Sequence, residues 1–144
     1  MEINECIKFA KENPVCFLAT CENNQPHVRG LLMWFADHSG FYFAILSTKN
    51  MSSQLHQNPK VEICFYNNPA DIANARSMRI TGEIEFLGDP DLKSKAYEER
   101  KFLDQIVGKS VEPYLEIIRI KSGDAHFWTM ADVMREKELE HLKF

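Results

Sequence analysis

Short apolar or alternating stretches, separated by turn residues, make up most of this chain. Alternating positions and short apolar runs predict strands, whereas a helix needs apolar positions three and four residues apart. The strand-like stretches are residues 15–21, 27–36, 41–46, 61–67, 78–87, 114–120 and 125–130. The pattern therefore predicts a mainly β protein.

Helical spacing is confined to three segments, which are residues 3–12, 51–57 and 91–107. Asp89 and Pro90 precede the third segment and supply its cap and its first position. Residues 68–77 are irregular with room for one helical turn. The tail, residues 132–144, is charged with sparse apolar positions, and the pattern leaves open a short helix or a frayed end.

Turn residues between consecutive strands predict antiparallel hairpins. Six or seven short antiparallel strands in a small domain tend to close into a barrel. A length of 144 residues fits one domain. We therefore predict a single α+β domain over residues 1–144, with the helices inserted between the strands and a C-terminal tail from residue 132.

Composition and charge exclude several classes of protein. The net charge is −4 with no run of one sign, which argues against a nucleic-acid partner or a membrane-surface patch. No apolar run approaches the ~20 residues of a membrane-spanning helix. The first residues, MEINECIKFAKEN, lack the features of a signal peptide. These features predict a cytoplasmic protein.

The cysteines and histidines show no metal-binding or catalytic motif. The four cysteines form no CxxC pair and have no zinc-ligand spacing with histidine, so we interpret them as small buried apolar residues kept reduced. The histidines form no HxxxH or HExxH motif, and we predict no metal site. No Ser/His/Asp arrangement is visible, so catalytic residues are not identified.

The segment 41–59 places a polar turn between a strand and a short helix. The turn, Ser47 to Asn50, carries hydroxyls, an amide and the cation of Lys49. A helix N-terminus offers unpaired N–H groups and the positive end of the helix dipole, which favours an anion such as phosphate. The alternative is an ordinary N-cap followed by a solvated lysine.

Arg29 and Gly30 lie in a strand that is otherwise apolar beyond them. A guanidinium there needs an anionic or carbonyl partner, and its planar fork suits phosphate. The alternative is a salt bridge to one of the 21 acidic residues. A strand glycine indicates either the close approach of a flat ligand or a β-bulge. Trp128, late in the last strand, is either a core residue or part of a ligand site.

Together, these segments form an ordered series: NPVCFLAT, then PHVRGL, STKNMSSQLHQNPKV, RITGE and a late FW. The series resembles the pyridoxamine 5′-phosphate oxidase-related FMN-binding split-barrel family. The resemblance extends over about residues 12–130 and is strongest at 26–32 and 48–61. It is closer to the small general-stress-protein-like members than to the biosynthetic oxidase.

The resemblance implies a split β-barrel of six or seven strands, a homodimer, and FMN in a groove between the subunits. In this family pattern Arg29 reaches the phosphate, and Thr48, Lys49 and Gln54 frame the phosphate and ribityl end. Phe43 and Ala44 contact the ring system. The other residues that the resemblance assigns to the flavin are Gly30, Leu31, Leu32, Met33, Ser77 and Trp128, the last of them closing the site.

Two departures limit what the resemblance implies. Met51 stands where many members carry a lysine, three residues before Gln54. The segment TMADVMREKEL has no match to the arginine-bearing segment that holds pyridoxal-type substrates. Pyridoxamine phosphate oxidase activity is therefore in doubt.

Three functions stay open at this point. The first is a flavin-dependent oxidoreductase with a nicotinamide electron donor and an unassigned small substrate. The second is a non-catalytic binding or stress-sensing protein for FMN, haem or a deazaflavin. The third is a dimeric barrel without a cofactor, in which Arg29 makes a plain salt bridge.

Overall fold

Ten strands arranged in two antiparallel sheets form the fold in the computed structural model, which describes residues Met1–Phe144. The strands are β1 (Val15–Glu22), β2 (Gln25–Leu32), β3 (Phe35–Asp37), β4 (Gly40–Leu46), β5 (Lys60–Tyr66), β6 (Arg76–Glu83), β7 (Glu85–Leu87), β8 (Leu115–Ile120), β9 (Gly123–Thr129) and β10 (His141–Lys143). The helices are α1 (Ile3–Glu12), α2 (Asn50–Gln57), α3 (Pro90–Arg100) and α4 (Phe102–Val107). None of them is both long and apolar enough to span a membrane.

The larger sheet has the order β10-β9-β6-β5-β1-β2, and the smaller has the order β3-β4-β8-β7. Their facing sides, together with α1, enclose the main core. Fully buried side chains from both sheets meet there, among them Leu18, Phe65 and Ile80 from the larger sheet and Phe43 and Ile118 from the smaller one. The prediction of an antiparallel split barrel with inserted helices is confirmed.

Two predicted strands are each divided between the sheets. The predicted strand 27–36 leaves the larger sheet at Met33, whose N–H donates to the Pro14 carbonyl at 2.8 Å. Trp34 then pairs with Tyr42 in the smaller sheet. The predicted strand 78–87 changes sheets at Ile84 in the same way. Met33 and Ile84 are themselves buried and no turn residue marks either crossing, so the sequence pattern shows no break.

Two further expectations were wrong. The helix predicted over 91–107 is interrupted at Lys101, which separates α3 from α4. Across this break, the Asp104 carboxylate accepts hydrogen bonds from the Tyr97 hydroxyl at 2.5 Å and from the Val111 N–H at 2.9 Å. The tail is neither an α-helix nor a frayed end, although Glu136–Glu138 form a short 3₁₀ turn. Its residues 141–143 form β10, an antiparallel edge strand on β9.

A tight hairpin fixes the register of β1 against β2. Asn23 and Asn24 both have positive φ, 49° and 64°, which is typical of the type I′ turn that matches the twist of a two-residue hairpin. The pairing then runs without interruption from Glu22 opposite Gln25 to Val15 opposite Leu32.

Candidate functional site

Arg29 lies on the edge strand of the larger sheet, on the side that faces the barrel interior. The hairpin register places it opposite Leu18, which is fully buried. The same register contains no bulge, so the bulge interpretation of Gly30 was wrong. Gly30 instead faces outward, opposite Phe17, with room for a β-carbon at ordinary contact distance.

Four protein groups accept hydrogen bonds from the Arg29 guanidinium, and none of them is acidic. Nη1 donates to Thr20 Oγ1 at 2.9 Å and to the carbonyls of Leu18 at 3.3 Å and His27 at 3.5 Å, while Nη2 donates to Gln54 Oε1 at 2.6 Å. No carboxylate lies within salt-bridge distance, so the salt-bridge alternative for Arg29 was wrong. Burial lowers the pKa of the guanidinium below its ordinary value.

The cluster retains N–H groups that can donate hydrogen bonds to an anion. Of the five guanidinium N–H groups, the Nε–H and one N–H on Nη2 make no hydrogen bond within the chain. The side-chain amide N–H groups of Gln54 also make no hydrogen bond within the chain and are accessible to solvent, although the residue as a whole is only 4% exposed. A cation and a neutral amide with free donors can therefore bind phosphate oxygens here.

Thr20 completes this cluster and was not predicted from the sequence. Its hydroxyl accepts from Arg29 and donates to Gln54 Oε1 at 2.6 Å, and the residue is 2% exposed. The signal was its place in β1, where Cys16, Leu18 and Thr20 share the buried side. A hydroxyl that ends an otherwise apolar buried row needs a polar partner.

The loop before α2 is open to solvent. Thr48 and Lys49 are exposed, and Lys49 occupies the N-cap position without a side-chain cap. Its ammonium makes no ion pair within the chain. Met51, in contrast, is 4% exposed and packs in the main core. The position where a cation was expected thus serves packing, and Lys49 is the cation that this loop offers.

The other residues predicted to line the flavin differ in accessibility. Leu32 is exposed, while Leu31 and Ala44 are half-buried. Met33 and Phe43 point into the core, at 4% and 0% exposure. In a single chain, side-chain surface is therefore presented to a ligand by Leu31, Leu32 and Ala44, but not by the two buried residues.

Ser77 and Trp128 form a cross-strand pair on the outer face of the larger sheet. Both are half-buried, so the core interpretation of Trp128 was wrong. Arg29 lies on the opposite face of this sheet, three strands away from Ser77 and four strands away from Trp128. With a strand spacing of about 4.8 Å, one chain does not bring this pair to Arg29.

A second polar cluster lies on the other side of α2. The Glu116 carboxylate of β8 accepts from the Ser52 hydroxyl and contacts His56 Nε2 at 2.9 Å. The His56 ring stacks on Phe86 with centroids 3.8 Å apart. The adjoining cleft has a volume of about 400 Å³. Glu116 was not predicted from the sequence, although Ser52 and His56 are spaced to share one helix face.

A family model described as pyridoxamine 5′-phosphate oxidase matches residues 2–129. No curated protein matches the sequence.

Several solved structures share the fold. A NimC/NimA family protein from Clostridium acetobutylicum has 27% identity and a TM-score of 0.75, with 98% of this chain and 91% of that chain covered. General Stress Protein 26 from Bacillus anthracis has 17% identity and a TM-score of 0.72 over the whole of both chains. A FAD-binding protein from Mesorhizobium loti has 18% identity and a TM-score of 0.65, with coverage of 90% and 96%.

Proposed function

Because the chain belongs to the pyridoxamine 5′-phosphate oxidase family, we propose that it binds FMN and works as a flavin-dependent oxidoreductase on a small substrate. The observation that carries the proposal is the Arg29 cluster, in which neutral acceptors orient a half-buried cation that has no acidic partner. Such a group is suited to a phosphate, and a plain structural arginine has no need to keep donors free.

The residues present fit the phosphate end of FMN. Arg29 and the amide of Gln54 supply N–H donors from the sheet and from α2. Thr48 and Lys49 supply a hydroxyl and a second cation from the exposed loop before the helix. Thr20 holds Arg29 and Gln54 in their relative positions and is itself a positioning residue.

We propose a homodimer in which a second subunit completes the part of the site that holds the flavin ring. The outer face of β1 and β2 exposes Val15, Phe17, Val28 and Leu32, with exposed fractions between 47% and 69%. Burial of this apolar face against a second copy would remove it from water. The same arrangement allows Trp128 of one subunit to close the site formed around Arg29 of the other.

The bound flavin supplies two-electron redox chemistry, with a nicotinamide cofactor as the proposed electron donor. The chain's own contribution is binding and orientation. Arg29 and Lys49 neutralise the phosphate charge, and the apolar strand surface excludes water from the ring. No side chain is assigned as acid or base.

The test is an FMN titration of the Arg29→Ala and Lys49→Ala variants, read by flavin fluorescence. Each variant should lose at least about 1.5 kcal/mol of binding free energy, which is roughly tenfold in affinity, because each removes a charge-assisted hydrogen bond. Arg135→Ala is the matched control, since Arg135 is exposed and pairs with Asp132. Unchanged affinity in both site variants would remove the assigned roles.

A second measurement separates an enzyme from a protein that binds flavin without turnover. The FMN-loaded protein is mixed with NADH or NADPH without oxygen, and the flavin absorbance is followed. Bleaching, followed by recovery on addition of a small electron acceptor, supports the oxidoreductase. Persistent colour with both donors favours the binding or sensing function, and a parallel titration with FAD decides between the two flavins.

A further inference from the structure

Three metal-ligating side chains meet on the outer face of the larger sheet where β9 pairs with β10. His126 lies directly opposite His141, and Asp124 lies two residues before His126 on the same face. One ligand atom from each of the three side chains lies within 4.8 Å of the other two. His141 Nδ1 is 2.5 Å from an Asp124 oxygen, and the two imidazole rings stack with centroids 4.5 Å apart.

We propose that Asp124, His126 and His141 form a binding site for a divalent transition-metal ion of the zinc or nickel type. Two imidazole nitrogens and one carboxylate oxygen suit these ions, whereas magnesium and calcium prefer oxygen ligands alone. Metal–ligand bonds of 2.0–2.2 Å place ligand atoms about 3.3 Å apart in a tetrahedron. The present separations, from 2.5 Å to at most 4.8 Å, lie on either side of this value.

The position of the cluster leaves room for the ion. His141 on β10 is exposed, while Asp124 and His126 on β9 are half-buried, so water can reach the cluster and complete the coordination.

The charges around the cluster do not oppose a cation strongly. Arg79 faces His126 from β6, but its guanidinium is paired with Glu62 and Glu136. Lys143 lies opposite Asp124 across the β9–β10 pair. Because the prediction of no metal site considered sequence motifs alone, it missed a cluster that forms only when β10 joins the sheet.

The site is tested by calorimetric titration of tag-free protein, stripped with a chelator, with zinc chloride. We expect one ion per chain with a dissociation constant of micromolar or below. His126→Asn and His141→Asn should each weaken binding at least about a hundredfold, since loss of a ligand exceeds the ~10–100-fold cost of losing a second-shell partner. His27→Asn is the matched control, because His27 is exposed on β2 at the opposite edge of the sheet.

Cobalt gives an independent readout, since visible absorption reports its coordination. The unaltered protein and the His27→Asn variant should develop the absorption bands of bound cobalt, and the two ligand variants should not. Asp124→Asn provides a further ligand variant if a histidine variant fails to fold. Absence of zinc and cobalt binding by the unaltered protein would overturn the proposal, as would equal binding by the ligand variants and the control.

Discussion

Thr20 connects the two groups that we assign to the phosphate. Its hydroxyl is bonded to both Arg29 and Gln54, and these bonds lie in a buried position. An imidazole or carboxylate in its place would change the charge of the site, whereas a hydroxyl orients Arg29 and leaves its charge uncompensated. The residue therefore sets the electrostatic character of the cluster without contributing charge.

The Thr20→Val variant removes this hydroxyl with little change in shape. We expect the free energy of unfolding to fall by about 1–2 kcal/mol, because Arg29 loses an acceptor in a partly buried position. Urea unfolding followed by circular dichroism measures this. Thr81→Val on the exposed side of β6 should stay within about 0.5 kcal/mol, and an equal loss in both variants would contradict the assigned role.

Cys16 makes the stability depend on pH in the alkaline range. Burial raises the pKa of its thiol to about 12 in the folded state, from an unfolded value of 9.0. The folded protein then binds more protons than the unfolded chain between these values, so its stability falls as pH rises above 9. Each buried thiol contributes a slope of at most about 1.4 kcal/mol per pH unit.

Chemical denaturation between pH 8 and pH 11 tests this expectation. Cys16→Ala should show a shallower decline than the unaltered protein, even though the loss of volume lowers its stability at every pH. Cys21→Ala is the control, because Cys21 is only half-buried. Parallel curves for the Cys16 variant and the unaltered protein would exclude the thiol as the cause.

At this scale the sequence indicated Arg29, Lys49 and Gln54 through charge and motif. It could not separate Phe43 from Ala44, since every residue from Phe41 to Leu46 is apolar and such a run carries no information about faces. Which of the two points inward became clear only from the pairing of β4 with β8.

Among the elements, β10 differs most from expectation. Its sequence, HLK, has one apolar residue, and a connection with no turn signal of a tight hairpin separates it from its partner β9. The alternation of apolar and polar residues cannot predict such a strand, because its backbone hydrogen bonds are made to the edge of β9, which is available only in the folded sheet. The chain then continues to Phe144, which packs edge-on against Phe41 at 5.6 Å.

Phe144→Ala should loosen this end of the sheet. We expect a loss of about 1–2 kcal/mol, below the 3–5 kcal/mol of a fully buried phenylalanine, because Phe144 is only half-buried. Thermal and urea unfolding measure the change. Met134→Ala serves as the control, since Met134 is 90% exposed, and a Phe144 variant as stable as this control would show that the contact contributes nothing.

The sheet crossings at Met33 and Ile84 account for two of the three strands beyond the predicted seven, and β10 is the third. Each crossing continues one predicted strand into the other sheet without a turn residue. The apolar pattern and the turn residues therefore identified these segments correctly as extended chain, but they do not indicate which sheet each part joins. That depends on hydrogen bonds to Pro14 and Pro59.

At the scale of the whole molecule, the apolar outer face of β1 and β2 is the feature that a single chain leaves unexplained. Val28 is 69% exposed near its centre. In a two-fold dimer each changed residue appears twice, so a charge introduced there places two unpaired cations in the interface.

We therefore expect Val28→Arg to convert the dimer to a monomer at micromolar concentration, measured by light scattering after gel filtration. Ile106→Arg on α4 is the control, because Ile106 is 74% exposed and lies outside this face. A monomeric unaltered protein, or a dimeric Val28→Arg variant, would contradict the proposed interface.

The antiparallel barrel could be predicted at this scale because seven strand-like segments and short turns leave few other arrangements. How the proposed site would be divided between two chains could not be predicted, because Ser77 and Trp128 lie on the opposite face from Arg29. No local pattern reports which surface of one chain meets the surface of another.

The short helix α2 has polar contacts on two sides, to Arg29 and Thr20 through Gln54 and to Glu116 through Ser52 and His56. An isolated helix of eight residues would melt within microseconds. Here, Met51 and Leu55 also anchor it in the core. The hydrogen-bonded amide hydrogens in its last turn should therefore exchange with solvent only when the barrel itself opens, so that the lifetime of the proposed phosphate site equals the lifetime of the fold.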